Sequence, residues 1–123
     1  MECEVEFTPE FEEWWNSLSE DEQVAIDAKV RLLEERGPVL PRPHADIIAS
    51  SRHANMKELR AKCDGKQLRV LYAFDPRRMA ILLIGGDKTG DPAWYDRNVP
   101  LADNLFEAHL KALEIEEQKQ NQL

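Results

Sequence analysis

The sequence has little of what disulfide frameworks, metal centres and membrane spans are built from. Two cysteines, Cys3 and Cys63, make neither a disulfide framework nor a metal motif, so we expect two reduced thiols. The three histidines have no partner at metal-ligand spacing, and we expect no metal and no cofactor. The longest apolar run, Met79–Ile84, is six residues long, whereas a membrane span needs about 20, so we expect no membrane segment.

Signatures of several enzyme and export classes are missing as well. The run Gly85-Gly86-Asp87-Lys88 does not have the GxxxxGK(S/T) spacing of a phosphate-binding loop, and no serine has the surroundings of a hydrolase nucleophile. The beginning of the chain is acidic and lacks the basic end and apolar stretch of a signal peptide. We therefore expect a cytoplasmic protein that is neither a nucleotide hydrolase nor a serine hydrolase.

The length of 123 residues fits one domain, 1–123, and the charge is unevenly spread along it. The net charge is −8, but residues 1–35 carry −10, residues 36–78 carry +6 and residues 79–123 carry −4. Charges more than about 8 Å apart are screened at physiological salt. A basic face in the middle segment can therefore hold phosphate although the whole molecule is acidic. The alternative is that these lysines and arginines are simply solvated.

The first third of the chain predicts a strand and two helices. Residues 2–7 alternate acidic with apolar residues, which indicates a strand with one buried face. A threonine–proline pair then begins a helix with one apolar stripe. Ser19 and Glu22 have the spacing of a capping box for a second helix, which is expected to end at about Arg36. With almost nothing between them, the two helices should form an antiparallel hairpin.

The rest of the chain predicts a meander of strands and a C-terminal helix. Ala45–Asn55 is expected to form a short helical turn and a loop after a proline-rich connector. Two turn signals separate three strands, at Met56–Lys62, Leu68–Phe74 and Met79–Ile84. A loop runs from Gly85 to Pro92, where a helical segment begins, and a longer helix begins near Pro100. Residues 116–123 form a polar tail that we expect to fray.

Together these elements predict an α+β fold. The order is strand, two helices, three-strand meander and helix. It predicts a small, mostly antiparallel, four-stranded sheet with an N-terminal helical hairpin and a C-terminal helix packed against it. The unbroken apolar run of the last meander strand is typical of a central strand that is covered on both faces.

Charged residues on these strands are the candidates for chemistry. Alternation puts Glu58 and Arg60 on one face of their strand, and Arg69 is the only charge in the next strand. If the strands are adjacent, these side chains and Lys88 converge near one edge of the sheet, as an acid surrounded by three cations. Such a cluster fits a phosphodiester pocket. The alternative is a cross-strand ion pair of Glu58 that only satisfies partly buried charge.

Three short motifs make the sequence recognisable. In chain order they are MKELR at residues 56–60, LRVLYAFD at residues 68–75 and LLIGGDK at residues 82–88. With these motifs the chain resembles toxins of the RelE/ParE superfamily of type II toxin–antitoxin systems, and it looks closest to the HigB-like, phage-related branch. The resemblance covers nearly the whole chain and implies the RelE-like fold.

The resemblance implies a toxin that inhibits translation by cleaving messenger RNA in the ribosomal A site, without a metal. The ribose 2′-hydroxyl attacks the adjacent phosphate, so the protein must orient it, stabilise extra negative charge and protonate the leaving 5′-oxygen. The resemblance also implies a cognate helix-turn-helix antitoxin encoded beside the toxin. Operator DNA would then be contacted only through the antitoxin.

The resemblance also implies roles for single residues. Arg69 matches the strand arginine that grips the scissile phosphate. Lys57 and Arg60 lie on the strand where family members carry basic catalytic residues, and one of them would stabilise the pentacoordinate phosphorane. Lys88 matches the basic residue at the end of the last strand. Tyr95 falls near a position that carries a tyrosine or histidine, which stacks on a base or assists proton transfer.

Two further residues keep open roles. Glu58 is either the general base or the residue that orients Arg60 and Arg69, and we favour orientation because a carboxylate ringed by cations is a weak base. His53, beside a loop, is a remote candidate for the acid or the base. None of these assignments follows from composition or spacing alone.

Two other functions stay open. A ParE-like poison of DNA gyrase shares the fold but needs no group of cations in one cleft. An inactive phage-derived interaction protein would keep the fold and use its acidic helices for binding. The chain also departs from most ribosome-dependent toxins of this kind, which are strongly basic, and its acidic helices are candidate antitoxin contacts.

Overall fold

The computed structural model describes residues 2–121, which form a mixed sheet with helices on both faces. The strands are β1 (Val5–Phe7), β2 (Ala45–Ile47), β3 (Lys57–Cys63), β4 (Lys66–Phe74) and β5 (Ala80–Asp87). The helices are α1 (Pro9–Ser17), α2 (Glu20–Arg36) and α3 (Trp94–Asn121). A short 3-10 helix at Gly37–Val39 directly follows α2.

The sheet has five strands in the order β1-β5-β4-β3-β2. β1 runs parallel to β5, and the other neighbouring strands are antiparallel. The α+β class is confirmed, but the four-stranded sheet that we expected is wrong. The additional strand, β2, lies in the segment for which we expected a helical turn and a loop. Three residues are too few to show alternation, and β2 exists because it pairs with Lys57–Leu59, which the local sequence does not reveal.

The two N-terminal helices begin at the predicted caps. Thr8 Oγ1 accepts a 3.0 Å hydrogen bond from the Phe11 N–H. Ser19 and Glu22 form both bonds of the capping box: the Ser19 N–H donates to Glu22 Oε1 at 2.8 Å, and the Glu22 N–H donates to Ser19 Oγ at 3.2 Å. Apolar residues of both helices join one hydrophobic core on one face of the sheet. Sequence rules succeed here because a cap is made by residues three positions apart.

Strand β5 continues through Gly85 and Gly86, which we expected in a loop. Trp14 of α1 packs on Gly85 from one face of the sheet, and Trp94 of α3 packs on Gly86 from the other. A Cβ atom on Gly86 would lie only 2.6 Å from Trp94 Nε1. The glycines are therefore needed for the close approach of two indole rings, although a Gly-Gly pair is locally typical of a turn.

The C-terminal helix is one continuous helix rather than two segments. It begins at Trp94 and passes through Pro100, which removes one backbone donor. Buried residues on both sides of Pro100 hold the helix against the sheet. Residues 116–121, part of the expected frayed tail, form its exposed last turns, and residues 122–123 lie outside the described residues. Although α3 has 28 residues, neither it nor any other described helix is long and apolar enough to cross a membrane.

Two hydrophobic cores lie on opposite faces of the sheet. The first is covered by α1 and α2 and contains Tyr72. The second is covered by α3 and contains Trp94 and Phe106. Because α3 packs over β5 and β4, it leaves the far end of β3 uncovered on this face, where Arg60 is partly exposed and Lys62 is exposed. Glu58 and Arg69 lie beside this uncovered end and are buried.

Candidate active site

A buried carboxylate, Glu58, lies at the centre of the charged residues. Its side chain is only 4% exposed. Oε1 accepts a 2.7 Å hydrogen bond from the Tyr95 hydroxyl and lies 3.3 Å from Arg69 Nε. Oε2 accepts from Arg60 Nε at 3.2 Å and from Arg60 Nη2 at 3.1 Å. We call these four residues the Glu58 cluster.

Three separate elements position the Glu58 cluster. Glu58 and Arg60 alternate onto the same face of β3, and the register of the sheet places Arg60 directly opposite Arg69 of β4. Tyr95 comes from the first turn of α3, which Trp94 fixes by packing on Gly86. The expected meeting of the strand residues at one end of the sheet therefore occurs, and α3 adds the tyrosine.

The two arginines of the cluster differ in exposure. The side chain of Arg60 is 34% exposed and also contacts Asp46, with Nη2 3.1 Å from Oδ2. The side chain of Arg69 is 7% exposed, and its Nη1 donates to the Leu68 carbonyl at 3.0 Å. Its Nη2 donates a longer bond of 3.4 Å to Gln67 Oε1. The guanidinium of Arg60 is thus the more exposed of the two. That of Arg69 is buried and contacts Glu58, Tyr95, the Leu68 carbonyl and Gln67.

Lys88 joins this region through the ring of Tyr95. Because β5 ends at Asp87, Lys88 follows the strand directly instead of lying four residues beyond it. Its backbone N–H donates to the Gln67 carbonyl at 3.0 Å, and its Nζ lies 5.7 Å from the centroid of the Tyr95 ring. This is a cation–π distance. Lys88 therefore adds positive charge next to the phenol.

Two candidates lie elsewhere. Lys57 is on the opposite face of β3, where its Nζ donates to the Pro38 carbonyl at 2.9 Å and lies 5.8 Å from the ring centroid of Phe74. His53 packs edge-on against Phe106 of α3, with 5.1 Å between ring centroids. Its Nε2 is 3.4 Å from a carboxylate oxygen of Glu107. Neither residue belongs to the Glu58 cluster.

Burial and the Glu58 carboxylate both act on the phenol of Tyr95. Desolvation raises the pKa of Tyr95, and the hydrogen bond that its hydroxyl donates to Glu58 raises it further, which outweighs the opposing effect of Arg69. At neutral pH the phenol is therefore protonated and acts as a donor. Both oxygens of Glu58 already accept hydrogen bonds from the cluster, so this carboxylate has no free, exposed lone pair for a substrate proton.

A pocket of about 580 Å³ opens beside the two arginines of the cluster. It is lined by Lys29, Pro43, Arg60, Ala61, Lys62, Gln67 and Arg69. We call it the cationic pocket, because four of these residues carry a positive charge and none is acidic. Lys29 was missed from the sequence, since it lies in the acidic stretch of α2 and no local pattern connects it to β3. No group of metal-ligating side chains occurs within residues 2–121.

Comparison with known proteins identifies the family of this chain. Residues 13–107 match the family described as "Phage derived protein Gp49-like (DUF891)", and the chain belongs to this family. The matched range contains the whole Glu58 cluster and Lys88.

Two relatives come from Mycobacterium tuberculosis (strain ATCC 25618 / H37Rv). One is named "Putative toxin HigB3" and is 46% identical over 100 residues, which cover 80% of this chain and 86% of the relative. The other is named "Putative toxin HigB2" and is 43% identical over 103 residues, which cover 82% of this chain and 51% of the relative. The chain thus spans about half the length of the second relative.

Proposed function

We propose that this protein is the toxin of a type II toxin–antitoxin module and that it cleaves messenger RNA on the ribosome. The names of its two relatives support the toxin assignment. The observation that carries the nuclease assignment is the position of the Glu58 cluster next to a cationic pocket that contains no acid. The protein has 24 carboxylate side chains, yet none of them lines the cationic pocket.

The proposed reaction needs charge stabilisation and two proton transfers. A bond forms between the ribose 2′-oxygen and phosphorus, and the bond from phosphorus to the 5′-oxygen breaks, which leaves a 2′,3′-cyclic phosphate and a 5′-hydroxyl. The proton of the 2′-hydroxyl passes to solvent water, and the 5′-oxygen takes up a proton from Tyr95, which water then reprotonates. Arg60 and Arg69 both line the cationic pocket and would bind the non-bridging oxygens as negative charge grows. Tyr95, whose raised pKa keeps it protonated, is the proton donor nearest to them, with its hydroxyl 3.4 Å from Arg69 Nε.

In this proposal Glu58 orients the arginines rather than accepting a proton. Its oxygens hold Arg60 by two hydrogen bonds and Arg69 by an ion pair, and its side chain is nearly inaccessible. A guanidinium whose rotamer is fixed before the substrate arrives loses less entropy on binding phosphate. Lys88 would add positive charge from the Tyr95 side. Lys57, on the other face of β3, is not part of this mechanism.

We further propose that a cytoplasmic antitoxin binds the acidic side of the molecule and mediates any contact with operator DNA. A groove of about 320 Å³ lies there, between β1, α1, α2 and one residue of β5. It is lined by Val5, Phe7, Phe11, Glu12, Trp15, Asp27, Val30, Glu34 and Leu82. Six of these residues are apolar and three are acidic, and all but Leu82 belong to the segment of net charge −10. Charge complementarity therefore favours a basic amphipathic segment of the antitoxin.

A translating lysate tests the nuclease proposal. The purified protein should fragment messenger RNA only when ribosomes are present, and Arg69→Ala should abolish the cleavage. Because Arg69 is buried, its replacement can destabilise the fold, and Arg60→Ala at a more exposed position is therefore a second test variant. Melting curves should show that both variants are folded. Lys111→Ala, which removes an exposed cation from α3, is the charge-matched control and should cleave normally.

Other results of the same experiment would favour other functions. Intact messenger RNA together with trapped gyrase–DNA complexes would replace the nuclease proposal with a gyrase poison. Intact messenger RNA and unaffected growth after induction without the antitoxin would favour an inactive interaction protein. Cleavage that persists in both folded arginine variants would exclude the Glu58 cluster as the site.

A further inference from the structure

The cationic pocket exists because β2 is shorter than the strand beside it. β2 pairs with Lys57–Leu59, and one further bond, from the Arg60 N–H to the His44 carbonyl at 2.9 Å, continues the contact. Beyond that point the outer edge of β3 has no strand partner among residues 2–121. Ala61 and Lys62 line the pocket here, together with Pro43 and Lys29 of α2. The pocket therefore extends around the edge of β3, from the face of the Glu58 cluster to the face covered by α2.

Lys29 is held in this pocket by a histidine rather than by an acid. Its Nζ lies 2.8 Å from His44 Nδ1. Because an ammonium group can only donate, Nδ1 must be the acceptor, and a neutral imidazole then carries its proton on Nε2. The positive charge of Lys29 is thus positioned without being neutralised. His44 thus positions the ammonium group of Lys29 without adding negative charge.

Lys62 supplies another cation of the pocket, and its ammonium group forms no ion pair among residues 2–121. It is exposed on β3, two residues after Arg60, so alternation directs it to the same face of the sheet as Arg60. By contrast, Arg60 is partly neutralised by Glu58 and Asp46. The uncompensated positive charge of the cationic pocket therefore lies on Lys29 and Lys62 and not on the Glu58 cluster.

We propose that Lys62 and Lys29, which His44 positions, form a second phosphate subsite, which binds a phosphodiester of single-stranded RNA adjacent to the one held by Arg60 and Arg69. This inference rests on the proposed function, because it assumes that the Glu58 cluster receives RNA. The subsite directs the RNA backbone around the free edge of β3. It would also keep the RNA on a concave surface that no carboxylate lines, within a molecule whose overall charge repels nucleic acid.

Salt-dependent binding of a non-cleavable RNA tests the subsite separately from catalysis. The probe is a short, fluorescein-labelled single strand in which every 2′-hydroxyl is methylated, so that the attack cannot occur. Fluorescence anisotropy gives its affinity for the wild-type protein, for Lys29→Ala/Lys62→Ala and for Lys111→Ala/Lys119→Ala. The last variant removes the same number of cations from exposed positions of α3 and is the matched control.

The double variant of the subsite should bind more weakly and with a smaller dependence on salt. Each phosphate neutralised on a single strand contributes about 0.7 to the slope of log affinity against log salt, and the subsite holds one phosphodiester, so the slope should fall by about 0.7. The control should keep the wild-type slope. Equal slopes for the two double variants would overturn the proposal. Competition by inorganic phosphate that equals competition by RNA at the same phosphate concentration would also overturn it, because the site would then bind a simple anion.

The same proteins distinguish failure of the subsite from failure of the proposed function. A reduced slope in Lys29→Ala/Lys62→Ala supports the subsite even if the wild-type protein cleaves nothing in a translating lysate. Ribosome-dependent cleavage that is equally efficient in wild type and in Lys29→Ala/Lys62→Ala, with unchanged slopes, would retain the nuclease and exclude the subsite.

Discussion

The hydroxyl of Tyr95 donates a 2.7 Å hydrogen bond to Oε1 of Glu58 and so links the first turn of α3 to strand β3. The two residues are 37 positions apart in the chain. The bond brings a phenol into a group of strand residues that otherwise holds only charged side chains. The candidate site is therefore complete only when α3 is packed in this position.

Removal of the Tyr95 hydroxyl should reduce activity far more than it disturbs the fold. Tyr95→Phe loses the bond to Glu58, and we expect the free energy of unfolding to fall by about 1.5–3 kcal/mol, the usual value for a hydrogen bond to a charged group. If the phenol transfers a proton, ribosome-dependent cleavage should fall by about 10²-fold or more. Chemical denaturation and cleavage in a lysate measure the two effects.

Tyr72→Phe is the control for this substitution. Tyr72 is fully buried, and its hydroxyl has no hydrogen-bond partner among the described residues. Removing that hydroxyl should leave stability unchanged or raise it slightly, and it should not affect cleavage. If Tyr72→Phe lost as much cleavage activity as Tyr95→Phe, the loss in Tyr95→Phe would reflect a disturbed fold and not a role of its hydroxyl in the reaction.

Both tyrosines should ionise at higher pH in the folded protein than in the unfolded chain. Burial raises the pKa of Tyr72 strongly, and burial together with the bond to Glu58 raises the pKa of Tyr95. Since these are the only two tyrosines, the tyrosinate absorbance should stay low through the ordinary pKa of about 10. Because the unfolded phenols lose their protons above that pH while the folded ones keep theirs, the free energy of unfolding should be unaffected by the tyrosines below about pH 10 and should fall as the pH rises toward the folded-state pKa values. Normal titration near pH 10 while the protein is still folded would contradict the buried positions.

Gly86→Ala should disturb the site from beneath α3. The added Cβ would meet the indole of Trp94, and overpacking of this kind costs about 1–3 kcal/mol. Because Trp94 directly precedes Tyr95, a shift of the indole should also move the phenol. Cleavage activity should therefore fall by a larger factor than the fraction of folded protein does. Gly85→Ala is the matched control, since it meets Trp14 on the opposite face of the sheet. It should destabilise the protein while the activity of the folded fraction is retained, and equal specific activities of the two variants would contradict this linkage.

Asp75 should make the protein sensitive to acid. Its buried carboxylate loses hydration, which raises the pKa, but the hydrogen bonds from His109 and Arg77 outweigh this effect and hold the pKa below its usual value. The stabilisation from Asp75 is therefore present above the unfolded-state pKa of about 4 and is lost as the pH falls through the lower folded-state pKa. Asp75→Asn should lower the free energy of unfolding by about 1–3 kcal/mol at neutral pH. Below about pH 4 the free energy of unfolding should fall less steeply in this variant than in the wild type. Denaturant titrations across pH measure this, with exposed Glu114→Gln as the charge-matched control.

The proposed antitoxin groove should be sensitive to charge at Phe7. This side chain is 55% exposed on the edge strand β1 and lines the groove, so Phe7→Glu places a carboxylate where an apolar contact is expected. Co-expression with the neighbouring antitoxin, followed by capture and titration, should show binding weakened by about tenfold or more, which corresponds to about 1.4 kcal/mol. Val39→Glu alters a valine that is 65% exposed outside the groove, and it should bind as the wild type does. Equal binding by both variants would place the partner elsewhere.

Local sequence rules account for the parts of this structure that depend on near neighbours. The capping box of Ser19 and Glu22 and the shared face of Glu58 and Arg60 follow from spacings of three and two residues. Local rules fail where a distant ring or strand decides the conformation. Gly85 and Gly86 were expected in a loop, yet they lie in β5 beneath two tryptophans from different helices.

The sequence by itself determined the α+β class, the segregation of charge and the match of residues 13–107 to the Gp49-like family, because each is encoded in composition or in the order of residues along the chain. Only the tertiary structure decided that Tyr95 binds Glu58, that Lys57 faces away and that Lys29 enters the cationic pocket. These relationships depend on sheet register and on the seating of helices against the sheet. Both are set by packing between segments that lie far apart in the chain.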